Sequence, residues 1–439
     1  MDKKSQSGLI RALGLGALII YGVGDILGAG IYAIVGKIAG HAGPLTWLSF
    51  AIAMGVVFFT AGSYSELGSR FPKSGGVSIY ILEAFGRQWL SLFSGILLFS
   101  ATIFSMSTLS QAFVGYLRTF GFNFPDWFGV SCFFIILLLI NVRGIKQSSI
   151  ANIVSTAIEV SGLAIVLVCG FWYLSKSNTY AVVTQPGSMP GITNVLQGAA
   201  LAFFAFTGFE DLANVAEEVK QPEKNLPRAM LSSLGAAGLL YLGVSWMATT
   251  IIPGSELSQS EAPLLDVVSK SYPAMPSYLF SFIAIFAVSN TTLLNYITAS
   301  RLLYGMSKAK LMPTFLQSVH RQYRTPYIAI LAIFPLVLGL GLVGTLEELA
   351  SSTSAIVLTV FSFSSIALIA IKFKERGEKK CSKVFYVPTF IPCLAVVLNL
   401  SAIAFLPLHN IIPAAVFVSV GLIISWLAMK NRSLKDHSP

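Results

Sequence analysis

The chain has 439 residues, of which 55% are hydrophobic and only 11% are Asp, Glu, Lys or Arg, against about 25% charged residues in an ordinary soluble chain. So few charged side chains cannot cover the roughly three soluble domains that this length would otherwise build, and the composition leaves an integral membrane protein. The formal charge of +10 raises a nucleic-acid reading, which the placement of the basic residues removes.

Twelve apolar runs follow one another: 12–36, 45–66, 89–117, 125–142, 149–175, 193–215, 229–252, 276–304, 326–344, 349–371, 386–407 and 411–429. A helix needs about 20 such residues to cross the hydrocarbon core, so the predicted fold is an all-α membrane protein with 12 transmembrane helices. Except for Lys37, Arg118, Lys176 and Lys270, all 29 Lys and Arg residues fall on alternate connecting segments, among them Arg70, Lys73 and Arg87, and the run Lys372 to Lys383. Basic residues mark cytoplasmic loops. Both termini are therefore expected in the cytoplasm of a cell-membrane protein, with the basic loops near anionic lipid and no nucleic-acid partner. The stretch after Lys3 and Lys4 has no small-residue cleavage site and is read as the first span rather than a leader. The four Cys residues form no metal spacing and no disulfide framework.

Two spans are not ordinary helices. The first contains Gly22, Gly24, Asp25, Ile26, Gly28, Ala29, Gly30, Ile31 and Tyr32. Glycines at mid-membrane often serve close packing, but Gly28 and Gly30 around one small residue also permit local unwinding, tolerated only where the backbone lines a cavity or is covered by protein. A second half-helix starting near Ala29 to Ile31 would offer its positive end to a carboxylate. The sixth span repeats the interruption with Phe203, Phe204, Ala205, Phe206, Thr207, Gly208, Phe209, Glu210 and Asp211. Paired interruptions in corresponding halves point to a transporter site built on inverted repeats. The expected organisation is a tail at 1–11, repeats at 12–175 and 193–371, two appended spans within 386–429, and a tail at 430–439. Carbonyls freed at the second break could hold an ammonium group, so the two breaks together describe an amino-acid site.

The same residues carry a family resemblance. Gly28 to Tyr32, Tyr64 to Gly76, Phe203 to Glu210 followed by Ala216-Glu217-Glu218 and Pro222, Ala299 to Met306, and Arg324-Thr325-Pro326 occur in order along nearly the whole chain. The chain resembles an amino acid permease of the amino acid-polyamine-organocation superfamily. The resemblance implies a leucine-transporter-like fold of five plus five inverted spans with broken helices 1 and 6. It places the substrate carboxylate on the backbone around Gly28 to Gly30 and the amine near the carbonyls of Ile26, Phe204 and Thr207. Phe204 would be an aromatic gate, and Ile31 and Phe206 are expected among the substrate-binding residues.

Acids within spans are functional candidates because their burial is costly. Glu159 in span 5 occupies a position where several proton-coupled relatives carry a lysine, and this departure disfavours a lysine-based switch. Glu159 could carry a coupling proton itself, complete a sodium site with Ser289 and Thr292 of span 8, or simply bond a neighbouring span-1 backbone. Asp25 could share the coupling task or line the site for a cationic substrate. Glu210 is expected to organise the broken span, with substrate contact secondary, and Asn295 either faces the site or bridges helices.

Residues 77–86 are predicted to form a short cytoplasmic amphipathic helix. His41, His320, His409 and His437 lie in loops or the tail without spaced partners, so an enzyme is not expected. No cofactor is expected beyond a coupling proton or sodium ion. The favoured function is a secondary active amino acid transporter driving proton- or cation-coupled uptake. Amino acid or amine exchange is the alternative, and a nontransporting sensor a weaker one.

Overall fold

The structure, a computed structural model, describes residues 11, 13–28, 30–73, 76–143, 149–177, 189–308, 312–375 and 384–435. The described residues form sixteen helices: α1 (Leu15–Leu27), α2 (Gly30–Ala42), α3 (Thr46–Arg70), α4 (Gly76–Phe85), α5 (Gln88–Arg118), α6 (Asp126–Arg143), α7 (Ser149–Ser177), α8 (Ile192–Ala202), α9 (Pro222–Ile251), α10 (Gly254–Leu257), α11 (Pro263–Ser271), α12 (Ser277–Lys308), α13 (Tyr327–Val343), α14 (Leu346–Lys374), α15 (Phe390–Phe405) and α16 (Leu408–Lys435), with short 3-10 turns between some of them. The basic run 376–383 falls outside the described residues, as do Ser74 and Gly75.

Eight helical stretches are by themselves long and apolar enough to cross a membrane, and α15 with α16, bent by 114°, makes a ninth when taken as one unit. That bend turns the chain back at Leu406 and Pro407, as two successive spans require. Shorter helices supply the remaining spans, and roughly twelve match the apolar runs in order. α9 starts at Pro222, seven residues ahead of its apolar run. Proline suits the first helical position, and the polar residues Glu223, Lys224, Asn225 and Arg228 extend the helix past its apolar run. α14 starts on a capping box in which Thr345 and Glu348 satisfy each other's backbone amides.

Three long-range helix pairs form much of the bundle: α3 packs on α9, α5 on α12 and α6 on α13. Large aromatic side chains fill the centre, with Tyr64 edge-on to Phe209 and Phe361 at ring-centroid distances of 5.5 Å each. Val168, Phe171, Leu239, Phe282 and Val397 are more than half exposed on the outside of the bundle, where lipid replaces water as their partner.

One end of the bundle carries the basic residues. There Glu66, fully buried in α3, pairs with Arg70 at 2.6 Å and with Lys372 of α14 at 2.7 Å, and accepts the amide of Val387. Arg70 also reaches Glu375 at 2.6 Å. At the same end Leu13 and the segment after span 6 form a parallel bridge, with Leu13 N donating to Glu218 O and Lys220 N to Leu13 O at 3.0 and 2.8 Å. The opposite end is tied by His41 to Glu347 and by Arg118 to Asp126 and Glu261.

Candidate functional site

α1 ends where Gly28 takes φ −39° and ψ −153°, a ψ outside any helix, and α2 restarts at Gly30. The first amides of α2 have no carbonyl one turn earlier to bond. They leave donors and the positive end of the helix at the break. Threonine hydroxyls occupy the space of the missing side chains: a Cβ would meet Thr291 Oγ1 at 2.3 Å from Gly28, and Thr156 Oγ1 at 2.0 Å from Gly24.

The sixth span opens in a different way. α8 stops at Ala202, Phe203–Phe206 tighten into a 3-10 turn, Thr207 is extended, and Gly208 takes φ +118°. Glycine alone adopts that φ without a Cβ clash, and a Cβ at 208 would also lie 2.8 Å from the Asp25 carbonyl oxygen. At Gly30 a Cβ would lie 2.7 Å from Ala205 Cα. The two breaks therefore cross backbone on backbone. The Tyr241 hydroxyl of α9 joins them, within 2.5 Å of Ile26 O and 3.1 Å of Ala205 O. Within span 6, Thr207 Oγ1 donates to Phe204 O, Gly208 N to Glu210 Oε2, and Asn214 Nδ2 to Asp211 Oδ1, each at 2.9 Å.

A cavity of about 640 Å³ lies against this crossing. Of the residues expected at the site, Asp25, Ile26, Gly28, Gly30, Phe204, Thr207, Glu210 and Asn295 line it. Its far wall comes from Ser105 of α5, Thr291 and Asn295 of α12 and Thr353 of α14; Asn295 Nδ2 donates to Ser105 Oγ at 3.1 Å. Ser78 of α4 and the exposed Asn214 and Arg301 also line it, so the cavity reaches solvent at the end of the bundle that carries Arg70. Ile31 and Phe206 are fully buried and lie outside the lining; Phe206 packs edge-on against Tyr241 at 5.3 Å. Ala29 is outside the described residues.

Glu159 sits on α7, 1% exposed and away from the cavity lining. Its Oε1 accepts from Asn290 Nδ2 of α12 at 3.0 Å, its backbone carbonyl accepts from the Tyr32 hydroxyl at 2.8 Å, and its Oε2 has no partner. Thr156 Oγ1, one turn earlier, and Asp25 Oδ2 are likewise buried without partners. Among the described residues the hydrogen bond to Glu159 from α12 comes from Asn290, and Thr292 bonds the Val288 carbonyl of its own helix. Asn290 and Thr291, between Ser289 and Thr292 in sequence, are the residues that face α7 and the first break. Sequence reasoning also missed Tyr241 and the buried state of Glu66. A lone Tyr in an apolar run carries no signal of what its hydroxyl meets, whereas an acid one turn before Arg70 was available as a pair at i, i+4.

Residues 13–434 match the amino acid permease family. The chain is 28% identical to the branched-chain amino acid permease BcaP of Bacillus subtilis, over 98% of this chain and 95% of that one. It is 29% identical to the chloroplastic cationic amino acid transporter 9 of Arabidopsis thaliana, over 86% and 70% of the two chains. It is 27% identical to the methylthioribose transporter of Bacillus subtilis, over 99% and 96%.

Proposed function

The chain belongs to the amino acid permease family, and on that premise we propose that its central cavity binds one amino acid and passes it across a cell membrane by alternating access. Both termini face the cytoplasm, and the basic end of the bundle is the cytoplasmic end. The cavity reaches solvent there, so the conformation is inward-facing. Residues 12–175 and 193–371 are the two inverted repeats, supported by the packing of α3 on α9, α5 on α12 and α6 on α13.

The carrying observation is the crossing of two broken spans at one cavity. Free amides from Gly30 onward receive the substrate carboxylate, because a helix start supplies both donors and positive potential. The amine goes to carbonyls of the span-6 break. Ile26 O and Ala205 O already accept from Tyr241, and Phe204 O from Thr207 Oγ1, which leaves the Thr207 carbonyl as the better acceptor. Phe204 lines the cavity at the break and acts as its aromatic gate.

Glu159 carries the coupling proton. Its support is a fully enclosed carboxylate with one oxygen held by Asn290 and the other unpaired, on a helix packed against α1. The names of the relatives divide between branched-chain and cationic amino acids, and a sulfur-containing sugar, so they leave the side-chain class open.

Purified protein in proteoliposomes, given radiolabelled amino acids with and without an inward proton gradient, tests the reading. Gradient-driven accumulation is the expected result. Binding without any uptake or exchange would instead make the chain a sensor, and exchange indifferent to the gradient would make it an antiporter.

A further inference from the structure

The cavity separates the two carboxylates that flank the first break. Asp25 lines it, together with Glu210, Asp211 and Glu218, whereas Glu159 does not. Among the described residues, the only basic one in the lining is Arg301, which is exposed. Two of the acids have donors within their own turn, Glu210 from Gly208 N and Asp211 from Asn214. Asp25 has none at Oδ2, which is buried and without a partner.

Its backbone is held firmly, because Gly208 packs directly against the Asp25 carbonyl and Tyr241 bonds the next carbonyl, that of Ile26. Asp25 is thus an acid in the wall of a substrate cavity whose Oδ2 is buried and has no partner, and a buried acceptor without a partner is costly until a cation or a proton reaches it. Asp25 lies on α1, across the break at Gly28 from the start of α2 at Gly30, and both residues line the same cavity.

Resting on the amino acid reading above, we infer that Asp25 selects substrates with a cationic side chain, an amino acid ending in an ammonium or guanidinium group, by acting as its counter-ion while the α-carboxylate sits at the start of α2. A branched aliphatic side chain brings no charge to this acid and leaves it unpaired.

The test measures uptake of labelled lysine, arginine and leucine into proteoliposomes by the wild type and by Asp25→Asn and Asp25→Glu. Wild type is expected to favour the two cationic substrates at least tenfold in kcat/KM. In Asp25→Asn the cationic-to-neutral ratio falls at least tenfold, chiefly through KM, and Asp25→Glu restores part of it. Equal loss for all three substrates would overturn the inference and make Asp25 a proton carrier or a scaffold residue. A wild-type preference for leucine would overturn it too. Wild-type protein that moves none of a full amino acid panel would overturn the amino acid reading itself, which is a different failure. Should Asp25→Asn not fold, thermal stabilisation of the wild type decides: lysine and arginine raise Tm at concentrations where leucine does not, and the reverse order counts against the inference.

Discussion

Gly30 and Ala205 meet backbone to backbone: a methyl group on Gly30 would lie 2.7 Å from Ala205 Cα. The second half of span 1 and the 3-10 turn of span 6 can cross at that distance only because one of them has no side chain. Gly30→Ala must push the crossing apart, and overpacking of this kind costs about 1–3 kcal/mol. We expect a lower Tm and at least tenfold slower uptake. Gly339→Ala in α13, where an added Cβ meets nothing within 4 Å, should leave both nearly unchanged. Equal effects of the two substitutions would count against the crossing.

Glu159→Gln keeps the shape of the side chain and its bond from Asn290 while removing the titrating group. The expected outcome is loss of proton-driven accumulation with substrate exchange retained, measured by counterflow in the same vesicles. Accumulation that still follows the proton gradient would exclude Glu159 as the carrier. Asn290→Ala, which leaves both carboxylate oxygens without a protein donor, should weaken the pH dependence without abolishing exchange.

Glu66 is 0% exposed and holds Arg70 and Lys372. Removing one member of a buried ion network leaves the others uncompensated, at a cost of about 3–5 kcal/mol. Glu66→Ala should therefore express poorly or melt much earlier, and Glu66→Gln, which can still accept the Val387 amide, should lose less. Similar Tm values for Glu66→Ala and wild type would show that the network is dispensable.

At the other end, His41 Nε2 lies 2.9 Å from Glu347 Oε1, and this hydrogen bond holds the Glu347 carboxyl below its ordinary value of 4.5. A depressed carboxyl stabilises the folded state above the unfolded value, and that stability is lost as pH falls through the folded one. The side chains are 28% and 35% exposed, so solvent screening limits the effect to under about 1 kcal/mol. His41→Ala should lower Tm slightly at pH 6, and the difference should vanish once the pH lies below the carboxyl's folded value. A constant difference across that range would mean that the pair contributes through packing alone.

Much of the architecture was legible because glycine and charge stand out in an apolar chain. The breaks at Gly28 to Gly30 and at Thr207 to Gly208 could be located to within a residue or two, and so could the short helix at 76–85. The phase of α12 could not. Ile283, Ile285, Phe286 and Val288 make that stretch apolar all round, so periodicity did not distinguish Ser289 and Thr292 from Asn290 and Thr291. The apolar run 45–66 stops at Glu66. In fact α3 runs on to Arg70, and the second cation comes from Lys372, about three hundred residues away. Tyr241 gave no warning for the same reason: its partners Ile26 and Ala205 are backbone atoms of distant segments.

The short bridge between Leu13 and Val219 bears on how such a molecule could cycle. It fastens the strand of chain entering α1 to the strand leaving the sixth span, so neither can swing separately without breaking two backbone bonds. The two halves of the site are yoked, and a lever pulled on one is felt at the other.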